Sequence, residues 1–263
     1  MPDHAAARWF LPGAAPLAHQ RLVLCFPHAG GDPRTFLGLQ PGIGDAAQIV
    51  PVVMPGRGHR AGETVPASIT DLAGEVAEAI AGAAGSPVYL LGHSLGAVIA
   101  FEVARWLRRL PALRHLVASG CPAPSLQPTP QVVRAARLRG QAFAEAVAQL
   151  GGLPAQVLAD TELAGLLLPP LQAEARLLAS YHYQPGTPLP IGVTLVNGTS
   201  DPQVDEVSLR PWRRECLHPP ACHWVAGGHF YFITKPMALA SVLRSLLDAD
   251  RAAAAPGHHV ELI

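Results

Sequence analysis

Lysine is almost missing from this chain: Lys235 is the single one, and every other long basic side chain is an arginine. We read this as a compositional bias with no chemistry attached. Charge of either sign is scarce as well, with 19 basic and 19 acidic side chains in balance. A protein that grips DNA or RNA presents a basic face, and this composition has none to offer. Long apolar runs are also absent, none approaching the about 20 residues that a membrane-crossing helix needs. Residues 1–13 carry an acid, a histidine and an arginine before apolar residues gather, unlike a secretory leader. The expectation is a soluble, cytoplasmic protein with neither a nucleic-acid nor a membrane partner. Cysteine is sparse, and Cys25 and Cys121 fall in apolar, strand-like segments where a reduced, buried thiol is expected.

At 263 residues and nearly half hydrophobic, the chain can bury one large core. Its most informative stretch is Val88-Tyr89-Leu90-Leu91-Gly92-His93-Ser94-Leu95-Gly96-Ala97, an apolar run ending in GxSxG and followed at once by a helix-compatible segment over 97–107. Strand, sharp turn, helix is the form of a nucleophile elbow, in which glycines on either side of the serine let strand and helix approach closely. Ser94 is then the candidate nucleophile, and the Leu95 N–H a donor to a developing oxyanion. A second donor is expected from a glycine-rich loop after an early strand. Residues 21–26 read as that strand, and His28-Ala29-Gly30-Gly31 as the loop, with the Ala29 N–H as donor.

A serine hydroxyl needs a base, and the base needs an orienting acid. The apolar run 190–197 delivers Gly198-Thr199-Ser200-Asp201, and a last strand over 222–226 delivers Gly227-Gly228-His229. Ser94, Asp201, His229 is the chain order of elbow-type hydrolases. Asp205 is a rival acid farther from its strand. His28, His59, His93, His182 and His223 are rival bases that a core or surface role explains equally well. The pairs Cys216/His218 and Cys222/His223 fit zinc spacings badly, so no metal is expected. The glycines of Pro55-Gly56-Arg57-Gly58 do not match a dinucleotide fingerprint, and no cofactor is expected.

Strands over 21–26, 48–54, 88–93, 115–120, 190–197 and 222–226 alternate with helices. Among these, Ser68 caps a helix reaching residue 84, and a short helix lies near 33–39. The pattern predicts a mostly parallel, doubly wound α/β sheet with its catalytic loops at the carboxyl ends of the strands. Between 125 and 184 the alternation stops, and helices are expected over 131–150, 160–168 and, past a Pro169-Pro170 break, 171–183. Arg134, Arg137 and Arg139 in this segment read as a solvated helix face. The expected organisation is a core of 1–124 and 185–250, a helical lid of 125–184 and a flexible tail of 251–263. Leu167 and Leu171 are expected to shape the chamber beneath the lid, with His28 beside them.

With these residues in hand, the chain resembles the stand-alone type II thioesterases of polyketide and nonribosomal peptide synthesis. The likeness rests on Phe26-Pro27-His28-Ala29-Gly30-Gly31, Pro55-Gly56-Arg57, Gly92-His93-Ser94-Leu95-Gly96-Ala97 with Ala100-Phe101-Glu102, Leu150-Gly151-Gly152-Leu153-Pro154, and Gly228-His229-Phe230. It implies an α/β-hydrolase fold with a helical lid, and hydrolysis of stalled or aberrant acyl thioesters from the phosphopantetheine arm of acyl or peptidyl carrier proteins. Two positions depart from the family. Leu95 stands where many relatives have methionine, and Leu171-Gln172-Ala173-Glu174 where Leu-Arg-Ala-Asp is usual. A general carboxylesterase, or a non-catalytic binding module on the same fold, would share much of this pattern.

Overall fold

A computed structural model describes residues 8–11, 21–83, 85–151 and 160–254. Six strands form one parallel sheet in the order β2-β1-β3-β4-β5-β6. They are β1 (Leu22–Phe26), β2 (Gln48–Pro51), β3 (Val88–His93), β4 (Leu113–Ser119), β5 (Gly192–Gly198) and β6 (Ala221–Val225). The chain lays β2 on one side of β1 and then crosses to lay β3 on the other, so the winding reverses between β1 and β3. Loops leaving neighbouring strands at such a reversal diverge and leave a crevice at the carboxyl edge. The register pairs Phe26 with Gly92, which sets the loop after β1 beside the turn after β3.

The strands read as continuous apolar runs because both faces of the sheet are covered. Leu22, Leu24, Phe26, Leu90 and Leu116 point to one face, where α1 (Ile69–Ala83) and α2 (Leu95–Trp106) pack. Val23, Cys25, Tyr89, Leu91 and Val117 point to the other, beneath α6 (Pro236–Ala254) and a 3-10 turn over Pro33–Leu39. Ser68 caps α1 as expected, its hydroxyl accepting from the Asp71 N–H at 3.1 Å. Helix α2 is buried from Leu95 to Ala104, and that stretch is apolar all round except for Glu102. That carboxylate accepts from the Tyr181 hydroxyl at 2.6 Å and from Arg105 at 3.1 Å, which satisfies it inside the fold.

Between β4 and β5 the chain forms α3 (Pro130–Arg137), α4 (Gly140–Gln149) and α5 (Thr161–Ala179). Two expectations fail here. The single helix over 131–150 is two helices, because Leu138 and Arg139 are extended and Gly140 turns the chain at φ 53°. Conversely, α5 runs straight through Pro169 and Pro170. The carbonyls deprived of a partner belong to Gly165 and Leu166, both exposed, so water can take their place. Beyond the prolines, buried Leu171, Glu174, Leu177 and Leu178 repeat at helical spacing and hold the remaining turns. Residue 180 then caps the helix, short of the expected 183. The exposed Arg134, Arg137 and Arg139 face solvent. Of the expected tail, 251–254 is the end of α6, and 255–263 lies outside the described residues, as does most of the Leu150-Gly151-Gly152-Leu153-Pro154 motif.

Each proline costs α5 a hydrogen bond without ending it. Pro169→Ala and Pro170→Ala are therefore expected to raise stability by about 1–2 kcal/mol each, the helical gain outweighing the freer unfolded chain. Urea denaturation measures this, and a lowered midpoint would show that the prolines support the helix.

Candidate active site

Ser94 sits between β3 and α2 at φ 55°, ψ −119°, and among the described residues it is the one non-glycine with positive φ. Its backbone is held on three sides. A Cβ added to Gly92 would lie 2.2 Å from the Gly96 carbonyl oxygen, and one added to Gly96 would lie 2.1 Å from that of Phe26. The Ser94 N–H donates to the Ser119 carbonyl on β4 at 2.9 Å. The two glycines of the motif are thus where side chains cannot exist, and the turn they permit aims Ser94 into a cavity of about 70 Å³.

His229 lines the same cavity. Its Nδ1 lies 2.8 Å from Asp201 Oδ2, and both residues are buried. A buried carboxylate at that distance keeps the proton on Nδ1 and leaves Nε2 unprotonated in the neutral ring. The second oxygen of Asp201 accepts from the Gln203 N–H at 2.9 Å, and the Gln203 side chain reaches the Leu150 carbonyl at 2.7 Å. What brings the acid to the base is a close crossing of two loops. A Cβ on Gly198, at the end of β5, would lie 2.3 Å from the Gly228 carbonyl oxygen, at the end of β6.

The loop after β1 supplies N–H groups to the same cavity, and most are already committed. The Gly31 N–H donates to the His28 carbonyl at 2.9 Å, and the Gly30 N–H to Glu174 Oε2 at 2.6 Å. Among the described residues the Ala29 N–H has no partner, and Ala29 lines the cavity. The Leu95 N–H opens α2, where the first N–H groups of a helix have no intrahelical acceptor. The Ala29 and Leu95 N–H groups are thus uncommitted among the described residues, as the sequence reading of the two oxyanion donors requires. Apolar side chains from three helices form much of the remaining wall: Val132 and Ala135 from α3, Val147 from α4, and Leu171, Ala175 and Leu178 from α5.

The model of the thioesterase domain matches residues 21–248. The chain belongs to the thioesterase domain family. Among its relatives, "Thioesterase PikA5" of Streptomyces venezuelae is 34% identical over 82% of this chain and 77% of that protein. "Gramicidin S biosynthesis protein GrsT" of Aneurinibacillus migulanus is 30% identical over 85% and 88%. The structure is similar to that of the type II thioesterase BorB from the borrelidin biosynthetic cluster, with a TM-score of 0.80, 30% identity, and coverage of 91% and 98%. The protein is therefore an α/β-hydrolase acting on thioesters.

The other expected residues of this thioesterase are scattered or repurposed. Asp205 is exposed and caps a short helix, Glu206–Leu209, where the Ser208 N–H and hydroxyl hold its carboxyl below the usual range. His59, His182 and His223 lie on the outside, and among the described residues no group of three or more His, Cys, Asp or Glu is arranged to hold a metal. His28 lines the cavity beside Phe230, its Nδ1 donating to the Ala29 carbonyl at 2.9 Å. Leu171 lines it too, whereas Leu167 faces a neighbouring cavity of about 390 Å³ with Gly30, Arg57 and His59. The reason is helical: four residues back from Leu171, Leu167 is a full turn away from Ser94. Gln203, Val132, Val147 and Leu178 carried no recognisable signal, while Phe230 follows His229 directly in the sequence.

His93 is fully buried against the His229 ring, 4.7 Å between centroids, with Nδ1 2.8 Å from the Ser119 hydroxyl. Burial pushes it well below its usual value, and positive charge on His229 or His28 would push it further. Burial likewise brings His28 and His115 down to about 4. These imidazoles are neutral in the folded chain and become protonated near 6.5 when it unfolds. Their contribution to stability is complete above 6.5 and declines as the pH falls toward 4, because only the unfolded chain takes up protons in that window. Urea midpoints are expected to drop steadily between about pH 7 and pH 4.5. A flat profile would show these rings charged in the fold.

Proposed function

We propose that this thioesterase hydrolyses stalled or aberrant acyl groups from the phosphopantetheine arm of acyl or peptidyl carrier proteins in polyketide or nonribosomal peptide synthesis. The observation that carries this reading is the opening of Ser94 and the Asp201-paired His229 onto one apolar cavity in a chain of this family. The biosynthetic setting is supported by the relatives, GrsT being named for gramicidin S biosynthesis and BorB for the borrelidin cluster.

In the proposed reaction His229 Nε2 takes the Ser94 proton as the oxygen attacks the thioester carbonyl. Ala29 and Leu95 N–H groups receive the oxyanion, and Asp201 stabilises the imidazolium. Collapse expels the phosphopantetheine sulfur, which takes the proton from His229 and departs as the thiol, leaving an acyl-Ser94 ester and a neutral imidazole. Water, deprotonated by His229, attacks that ester, and the acid departs as Ser94 regains its proton. A thiolate leaves with little acid assistance, so positioning and the oxyanion donors carry most of the barrier. No metal or cofactor enters any step.

Ser94→Ala and His229→Ala are expected to lower kcat by about 10^4 to 10^6, and Asp201→Asn by about 10^4. Asp205→Asn is expected to be mild, since asparagine also caps helices well. Mass spectrometry of carrier proteins loaded with different acyl groups, with and without enzyme, reads the loss directly. A folded Ser94→Ala protein keeping a tenth of the rate would sink the nucleophile assignment. Faster turnover of matched oxygen esters than of carrier-bound thioesters would favour a general carboxylesterase.

Helices α3 to α5 serve in this reading as a lid whose side chains set acyl preference. Leu171→Trp fills the cavity and is expected to reduce kcat/KM for long acyl thioesters about tenfold or more over short ones. Leu167→Trp, facing the neighbouring cavity, is expected to leave the ratio near that of the parent. Equal losses for long and short chains in Leu171→Trp would remove that wall from the acyl chamber.

A further inference from the structure

Glu174 is a buried carboxylate that the proposed reaction does not use. It accepts three N–H groups from two loops: Gly30 N at 2.6 Å, Arg57 Nε at 2.9 Å and Arg57 Nη2 at 2.6 Å. Three elements meet here. Glu174 comes from α5, Arg57 from the loop after β2, and Gly30 from the loop after β1 that carries the Ala29 N–H. A buried carboxylate is costly unless paired and fully hydrogen-bonded, and the forked guanidinium supplies that pairing.

The peptide that Glu174 touches is the one that follows the oxyanion donor. It joins Ala29 to Gly30, and both of its polar ends are held: the Ala29 carbonyl by His28 Nδ1 at 2.9 Å, the Gly30 N–H by Glu174. The peptide before it, His28 to Ala29, is fixed at its carbonyl by the Gly31 N–H at 2.9 Å. The direction of the Ala29 N–H therefore follows from where Glu174 holds its neighbour. One turn earlier on α5, Leu171 packs on the same loop, and a Cβ added to Gly30 would lie 3.1 Å from its Cδ1. Gly30 itself sits at φ 79°, which a side chain rarely adopts.

We infer that Glu174, braced by Arg57, is a positioning residue for the oxyanion hole, and that it makes this hole depend on α5 being docked. The inference rests on the proposed reading of Ser94 and Ala29. Arg57 and Glu174 neutralise one another, so the pair is not a docking point for a phosphate or carboxylate of the substrate. Its action is on the loop. Because the Ala29 N–H meets charge that develops only in the transition state, disturbing it lowers kcat and leaves KM nearly untouched.

The test is steady-state kinetics of Glu174→Gln with acyl N-acetylcysteamine thioesters, alongside binding of an acyl trifluoromethyl ketone, whose adduct with Ser94 carries an oxyanion. Glutamine retains the shape but cannot accept from all three donors. The expected result is a kcat about 10- to 100-fold lower, KM within about twofold, and ketone affinity weakened in parallel with kcat/KM. Glu162→Gln, an exposed charge on the same helix, is expected to match the parent. Should Glu174→Gln fail to fold by circular dichroism, Arg57→Lys carries the test: it keeps the charge, loses the fork, and is expected to show the same split at smaller amplitude. A parental kcat, a loss confined to KM, or unchanged ketone affinity in a folded variant overturns the inference. Ser94→Ala run in parallel separates the two readings. If it is active, the assignment of the nucleophile fails. If it is inactive while Glu174→Gln turns over normally, the positioning role alone fails.

Discussion

The structure depends on a turn that would not persist by itself. Ser94 at φ 55° lies in a backbone region that costs a side-chain-bearing residue about 1–3 kcal/mol, and it stays there because everything around it is fixed first. Buried β3 delivers it, buried α2 carries the chain away, and β4 accepts its N–H. The close approach of Gly96 to the Phe26 carbonyl then ties the elbow to the loop after β1. Ser94 and the Ala29 and Leu95 N–H groups are consequently set by one packing arrangement.

The electrostatics of the site follow from how few charges are admitted. His28 and His229 line the cavity and His93 stands ring-to-ring behind them, yet of the three only His229 has a carboxylate partner. Burial keeps His28 and His93 neutral, so neither adds a cation beside His229, the proposed base. The Ser119 and Tyr231 hydroxyls, 2.8 Å apart, continue the hydrogen-bond chain from His93 away from the cavity and hold that ring in place. In the proposed reaction, the positive charge that forms is then localised on the one ring that has Asp201 as its partner.

Helices α3 to α5 meet the Ser94 cavity and the loop beside it through side chains of different kinds. Apolar residues shape the wall, and one carboxylate grips the backbone of the oxyanion loop. In the proposed reaction, a helix that both lines the cavity and holds this loop would couple acyl fit to transition-state stabilisation by direct contact, without any longer pathway.

Much was legible in the sequence because the governing physics is local. GxSxG between an apolar run and a helix-compatible run reads as a tight turn, and glycines before Asp201 and His229 read as strand ends, so the elbow, the parallel sheet and the candidates Ser94, Asp201 and His229 could be read residue by residue. What tertiary structure decided involves partners far apart in the chain, about which local pattern is silent. Glu174 meets Gly30 across 144 positions and Arg57 across 117. Prolines that end helices in isolation are spanned in α5 because Leu171, Glu174, Leu177 and Leu178 are buried beyond them. Leu167 and Leu171 look alike in sequence, but one turn of helix and the docking of α5 give them different cavities. Spacing along the chain fixes which residues share a turn or a strand end; only packing fixes which side chains of distant segments share a volume.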